Sequence, residues 1–127
     1  MIQAVHHIAV IAGDYQRSKK FYTELLGLEP IREVYRKERN SWKLDLALNG
    51  QYIIELFSFP DSPARPSRPE AMGLRHLAFA VTNLEQAISS LQRKGVEVEP
   101  IRIDEYTGKR FSFFQDPDGL PLELYEQ

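Results

Sequence analysis

The chain carries two copies of one pattern. The run His7-Ile8-Ala9-Val10 returns as His76-Leu77-Ala78-Phe79, 69 positions later. Asp14 and Asn83 follow at the same offset, each opening a helical pattern, and Gly27 and Gly95 close those patterns. Ile54-Glu55-Leu56-Phe57 returns as Leu122-Glu123-Leu124-Tyr125. Two copies at this spacing signal a duplicated supersecondary unit rather than a solenoid, whose periods are shorter and more numerous. Polar interruptions fall at equivalent places in the copies, so each half has a His on its first strand and a Glu on its last.

In order, Val5 to Ala12 reads as a strand buried on both faces, because it is apolar on both. Asp14 is an N-cap, and Tyr15, Ser18, Phe21, Tyr22, Leu25 and Leu26 form a helical stripe that Gly27 ends. Glu29 to Tyr35 is a second strand, and the charged stretch from Arg36 to Asn40 a loop. Trp42, Leu44, Leu46 and Leu48 alternate with Lys43, Asp45 and Ala47, a strand pattern. Asn49-Gly50 predicts a hairpin back into a strand over Tyr52 to Ser58, because both residues tolerate positive φ.

Phe59 to Met72 holds prolines at 60, 63, 66 and 69 and continues neither a helix nor a sheet. The second half then repeats the order. Leu74 to Val81 is a strand. Asn83 caps a helix whose stripe is Leu84, Ala87, Ile88 and Leu91, with Gln86 placed for a capping box. Val96 to Ile103 and Arg110 to Phe114 are strands. Asp116-Pro117-Asp118-Gly119 is a turn, and Leu120 to Tyr125 the last strand. The expectation is an α+β fold of two βαβββ modules in one domain over 1–127: a first module over 1–58, a proline-rich connector over 59–73 and a second module over 74–127.

A helix in such a unit covers one sheet face and leaves the other for a different partner. If the helices cover Ile8, Val10, Leu77 and Phe79, the open faces carry His7, Glu55, His76 and Glu123. Ala9, Ala78 and Ala80 leave space beside the histidines, as a cleft requires. A buried carboxylate must be paired, protonated or bound to a metal. Two imidazoles and two carboxylates form a coherent ligand set for one divalent ion, Zn, Ni, Co, Fe or Mn. His6 competes with His7, and the repeat favours His7, because His6 aligns with Arg75.

The formal net charge is −2 and there is no basic block, which argues against nucleic acid or an anionic membrane as partner. There is no cysteine, so thiol nucleophiles, thiolate metal sites and disulfides are excluded, in keeping with a cytoplasmic setting. No apolar run approaches the ~20 residues of a membrane span, and the first residues do not read as a signal peptide.

Taken together, His6-His7-Ile8-Ala9-Val10, Asp14 with Phe21-Tyr22 and Leu26-Gly27, Ile54-Glu55-Leu56, Arg75-His76-Leu77-Ala78-Phe79, and Asp116-Pro117-Asp118-Gly119 leading to Leu122-Glu123-Leu124 resemble the vicinal oxygen chelate superfamily, and within it the small glyoxalase-I-like proteins. The resemblance covers nearly the whole chain, and its closing Asp-Pro-Asp-Gly…Glu-Leu motif is the most specific part. It implies paired βαβββ modules around a metal cleft, with His7, Glu55, His76 and Glu123 matching the four metal-ligand positions of glyoxalase I. It implies a lyase or isomerase whose metal chelates two neighbouring substrate oxygens and stabilises an enediolate while a Glu moves the proton. Glu123 is the first choice for that base and Glu55 the second. It also implies a homodimer acting on a small molecule, anionic or derived from a dicarbonyl.

Two positions depart from the glutathione-dependent pattern. Ile11 stands where those enzymes carry Arg, and Phe59 where they carry Asn. Other basic residues then become candidates for an anionic substrate: Arg36, Arg39, Lys43, Arg65, Arg68, Arg75, Lys109 and Arg110, with Arg68 and Arg75 the best placed. Trp42 and Phe59 are candidate cleft walls. Alternative activities on such a site are an epimerase, an extradiol dioxygenase, a fosfomycin-type thiol transferase, or small-molecule binding without catalysis. Whether the cleft forms within one chain or between two stays open.

Overall fold

Asp14 begins the first helix as its sequence position predicts. In the computed structural model, which describes all 127 residues, its side chain accepts a hydrogen bond from the Arg17 amide at 3.1 Å. This satisfies one of the donors that a helix start leaves free. β1 (Ile8–Ala12) leads into α1 (Tyr15–Lys20). The helix then widens into a π-helical turn over Phe21–Leu25, where the Leu26 amide donates to the Phe21 carbonyl at 3.1 Å. Gly27, at φ +77°, ends it in the left-handed region that glycine enters without a steric cost.

Next come β2 (Glu29–Arg36), a short 3₁₀ turn over Lys37–Arg39, β3 (Ser41–Leu48) and β4 (Gln51–Ser58). Asn49 and Gly50, at φ +50° and +79°, make the hairpin between β3 and β4. The sheet order is β1-β4-β3-β2, with β1 parallel to β4 and the other pairs antiparallel. Val10, Ala12, Leu44, Leu46, Ile54 and Leu56 are buried from the strands, and Tyr15, Phe21 and Tyr22 from the helical segment. These elements belong to a first compact unit, Met1–Ala64.

The second unit, Arg65–Gln127, repeats the plan. β5 (Leu77–Val81) leads to α2 (Leu84–Arg93), whose cap Asn83 accepts from the Gln86 amide at 3.0 Å. β6 (Arg102–Ile103), β7 (Arg110–Gln115) and β8 (Pro121–Glu126) complete a sheet of order β5-β8-β7-β6. Asp116 shapes the turn before β8. Its Oδ1 accepts from the amides of Asp118 and Leu120, both at 2.9 Å. Leu84, Leu91, Phe114, Leu120, Leu122 and Leu124 are buried.

The two sheets share one register. In parallel pairing, Ala9 stands opposite Glu55 in the first and Ala78 opposite Glu123 in the second. That equivalence is the structural content of the sequence repeat.

Three expectations need correction. The first strands begin later than predicted, at Ile8 and Leu77, because the ladders with β4 and β8 start there. His7 and His76 therefore stand immediately before their strands. β1 is also buried on one face only. Val10 and Ala12 are covered, but Ile11 is 52% exposed and Val5, ahead of the strand, 75% exposed. Finally, the strand expected over Val96 to Ile103 shrinks to Arg102–Ile103. Pro100 has no N–H to give a ladder. The segment is held by single contacts: the Glu99 amide donates to the Phe113 carbonyl at 2.9 Å, and the Ser112 hydroxyl to the Glu99 carbonyl at 2.6 Å.

Candidate metal and substrate site

Each unit pairs its predicted histidine with its predicted glutamate. In the first, His7 Nε2 lies 3.5 Å from Glu55 Oε1. In the second, His76 Nε2 lies 2.9 Å from Glu123 Oε2. The pairing follows from register. Glu55 sits opposite Ala9 and Glu123 opposite Ala78, so the imidazole two residues earlier reaches over a small side chain to the carboxylate. An alanine at these two positions leaves that path open.

The surroundings of the two pairs differ. The His7 ring stacks on Tyr52, centroids 4.9 Å apart and nearly parallel. His6 Nδ1 lies 2.8 Å from His7 Nδ1. His6, a rival of His7 in the sequence, thus bonds the far nitrogen of His7 and leaves Nε2 toward Glu55. An outer partner of this kind sets which ring nitrogen is free to bind a metal.

Glu55 also has a cation. Lys43 Nζ lies 3.1 Å from Glu55 Oε2 and 2.6 Å from Asp45 Oδ1. Tyr52 donates its hydroxyl to the same Asp45 oxygen at 3.0 Å. Burial opposes the ammonium of Lys43, but the hydrogen bonds and charges of Asp45 and Glu55 outweigh it and hold its pKa above the usual lysine range. Asp45 is buried, which favours the neutral acid, yet Lys43 and Tyr52 hold it below the usual carboxylate range. Burial, then the bond to Asp45, pushes the Tyr52 hydroxyl up. From sequence, Asp45 reads only as one of the positions that alternate with Trp42, Leu44, Leu46 and Leu48 along a strand. The structure makes it the buried anchor of Lys43.

In the second unit Glu123 is 9% exposed. His76 stands edge-on to Phe113, centroids 5.1 Å apart, and its Nδ1 is buried without a hydrogen-bond partner. One oxygen of Glu123 faces His76, whereas both oxygens of Glu55 have cationic or imidazole neighbours.

Within each unit the His and Glu donor atoms suit a divalent ion in type and spacing. Metal–nitrogen and metal–oxygen bonds of about 2.0–2.2 Å put adjacent ligand atoms roughly 2.8–3.6 Å apart, depending on octahedral or tetrahedral geometry. Both His–Glu pairs match that spacing. Neither pair alone is a complete site, and the chain places no group of three or more His, Cys, Asp or Glu side chains ready to hold a metal ion. Each unit brings together two of the four residues expected from the sequence as ligands.

The predicted cations divide sharply. Arg110 is bound by Glu85 and Glu126, with Nε 2.8 Å from Glu126 Oε2. Arg36 lies over the rings of Phe57 and Phe59, and Arg39 over Phe59. Trp42 stacks on Tyr15 at 5.3 Å, as part of the packing of the first unit. Arg65, Arg68 and Arg75 instead line a cleft of about 190 Å³ in the second unit, with His76 on its wall. Arg102 joins them there. Arg102 is not among the cations singled out from the sequence, because its place depends on cross-strand neighbours on β7, Phe111 and Phe113.

No helix is long and apolar enough to cross a membrane. Residues 4–124 match the family model described as the Glyoxalase/Bleomycin resistance protein/Dioxygenase superfamily. The chain is 64% identical to YaeR of Escherichia coli (strain K12), over 99% of this chain and 98% of that protein. The crystal structure of a glyoxalase family protein from Enterococcus faecalis superposes with a TM-score of 0.91 and 53% identity, covering 98% of each chain. Lactoylglutathione lyase of Escherichia coli O157:H7 is 29% identical over 95% of this chain and 90% of the enzyme.

Proposed function

The chain belongs to the glyoxalase/bleomycin resistance protein/dioxygenase superfamily, and on that premise we propose that it is a metal-dependent lyase or isomerase of the glyoxalase I type. His7, Glu55, His76 and Glu123 would hold one divalent ion, which when bound would supply Lewis-acid polarisation of a substrate carbonyl. The observation that carries this reading is the pair of equivalent His–Glu contacts, 3.5 Å and 2.9 Å, at matched positions of the repeat. Neutral imidazoles and two carboxylates balance the charge of a divalent ion, which is how such residues are tolerated on apolar strands.

Glu123 is the proton carrier. It takes a proton from the carbon beside the substrate carbonyl and returns it to the neighbouring carbon. Its availability supports the choice, because one of its oxygens is free of His76 while Lys43 engages the second oxygen of Glu55. The burial of Glu123, opposite Phe113 on the neighbouring strand, keeps water away from the transferred proton. Glu55, His7 and His76 position rather than react, and His6 and Tyr52 orient His7.

The active form is a homodimer. The faces that carry the His–Glu pairs expose Ile11 and leave Ala9 and Ala78 open, and apolar strand faces of this kind mark a surface for association. The substrate is a small molecule with neighbouring oxygens. Ile11 and Phe59, which replace the Arg and Asn of the glutathione-dependent pattern, set this chain apart from the glutathione enzymes.

The test is turnover of a methylglyoxal–thiol hemithioacetal, and of related hydroxycarbonyl compounds, by metal-loaded protein. Glu123→Gln should lower turnover about a hundredfold or more while metal stays bound through the remaining ligands. Full activity in Glu123→Gln would remove it from the mechanism.

A further inference from the structure

We propose that the arginine cleft of the second unit binds an anionic group of the substrate, a carboxylate or a phosphate on a short carbon chain, beside His76. This rests on the reading of His76 as a metal ligand, and names the substrate class for that site.

The first argument is charge. Four guanidinium groups line the cleft, from Arg65, Arg68, Arg75 and Arg102, against two carboxylates, Glu70 and Glu99. The carboxylates do not neutralise it. Arg75 is 3.6 Å from Glu70 and Arg102 3.7 Å from Glu99, all four side chains more than half exposed. Loose, solvated pairs of this kind contribute little. Arg65 and Arg68 have no carboxylate partner. Like charges gathered in one concavity repel unless an anion joins them, and a concavity focuses their field on whatever enters.

The second argument is preorganisation. Arg65 is a brace. Its Nη2 donates to the carbonyls of Leu74 and Arg75 at 2.9 and 3.0 Å, and its Nε to the Ser67 hydroxyl at 3.0 Å. Ser67 in turn donates to the Gly119 carbonyl at 3.2 Å. These bonds pin the proline-rich segment on both sides of Arg68, which makes no hydrogen bond or ion pair of its own. Across the cleft, Arg102 lies over Phe111 and Phe113 at 5.2 and 5.1 Å. Phe113 is the ring that stands edge-on to His76. The planar forks of Arg68 and Arg102 suit the two-point contacts that carboxylate and phosphate accept.

The third argument is size. A volume of about 190 Å³ corresponds to roughly six water molecules at liquid density. That accommodates a carboxylate or phosphate with two or three carbons. The anion then sits on the arginines while the reacting end lies at the His76 side.

The experiment is calorimetric titration of the full chain with inorganic phosphate and, separately, with malonate, at constant ionic strength. It is done on Arg68→Ala, Arg102→Ala and, as control, Arg17→Ala on α1. Each protein is measured metal-free and after loading with a divalent metal. Saturable binding of one anion per chain is expected, weakened at least tenfold in Arg68→Ala and in Arg102→Ala and unchanged in Arg17→Ala. The tighter of the two anions identifies the group. Circular dichroism confirms that each variant is folded, and Arg68→Lys, which keeps the charge but loses the fork, should fall between. Absence of saturable binding of either anion at millimolar concentration, or parental affinity retained in Arg68→Ala and Arg102→Ala, would overturn the proposal. Failure of the metal reading is separate: it appears as absence of metal, with anion binding intact.

Discussion

Glu123 Oε2 lies 2.9 Å from His76 Nε2, and this contact joins the two positions that the repeat singles out in the second half of the chain. Its counterpart in the first half, His7 with Glu55, is looser at 3.5 Å and shared with Lys43. The two half-sites are alike in ligand type and unlike in environment. One holds its carboxylate with an ammonium group, and the other leaves an oxygen free.

With Glu55 proposed as a metal ligand, Lys43 would compete with the metal for it. Lys43→Met should tighten metal binding at this half-site, because Glu55 loses its ammonium partner. It also leaves the buried Asp45 with Tyr52 as its remaining hydrogen-bond partner, so the same variant should lose about 1–3 kcal/mol of stability in chemical denaturation. A variant as stable as the parent would show that Lys43 is not the anchor of Asp45.

The same network predicts a dependence on pH. Asp45 has a folded-state pKa held below its ordinary value, by Lys43 and Tyr52 against the effect of burial. Its contribution is fully present above the unfolded carboxylate pKa, near ~3.9, and is lost as pH falls through the lower folded value. Thermal unfolding followed from pH 7 down to pH 2 should show that part of the acid loss shrink in Asp45→Asn. That variant should also be less stable than the parent at pH 7. An identical acid profile in both proteins would exclude Asp45 as a source.

Much of this was legible beforehand, for physical reasons that can be named. The caps at Asp14 and Asn83, the Asn49-Gly50 hairpin and the glycine stops at Gly27 and Gly95 are local chemistry, and local chemistry survives folding. The His–Glu pairing was legible because the repeat carried it. What failed was long-range. Val96 and Val98 alternate like a strand, but pairing depends on what β7 offers and on Pro100. The exposure of Ile11 depends on what covers the sheet. The bonds His6–His7 and Lys43–Asp45 join side chains whose partnership no periodicity records. Arg102 lies in a strand, as expected, and its place in the cleft depends on its contact with Phe111 and Phe113 across the β6–β7 pairing.

The exposed face gives a further test. Ile11 is 52% exposed on the strand that follows His7. Ile11→Glu should shift the protein toward monomer in analytical ultracentrifugation while leaving the far-ultraviolet circular dichroism unchanged. A parent that sediments as a monomer at all concentrations would contradict the dimer.

The cores of both units should respond as packed interiors. Leu56 and Leu122 are fully buried. Each change to Ala should cost about 2–5 kcal/mol in chemical denaturation, from lost transfer free energy and the cavity left behind. Asn83→Ala, which removes the cap of α2, should cost about 1 kcal/mol.

The most direct measurement is metal per chain, by elemental analysis of protein purified without chelator or affinity tag. Close to one equivalent of a divalent ion, Ni, Co, Zn, Fe or Mn, is expected. In His76→Ala less than a tenth of that should remain, with the circular dichroism of the parent retained. No metal in the parent and none taken up on titration, or undiminished metal in His76→Ala, would contradict the metal site.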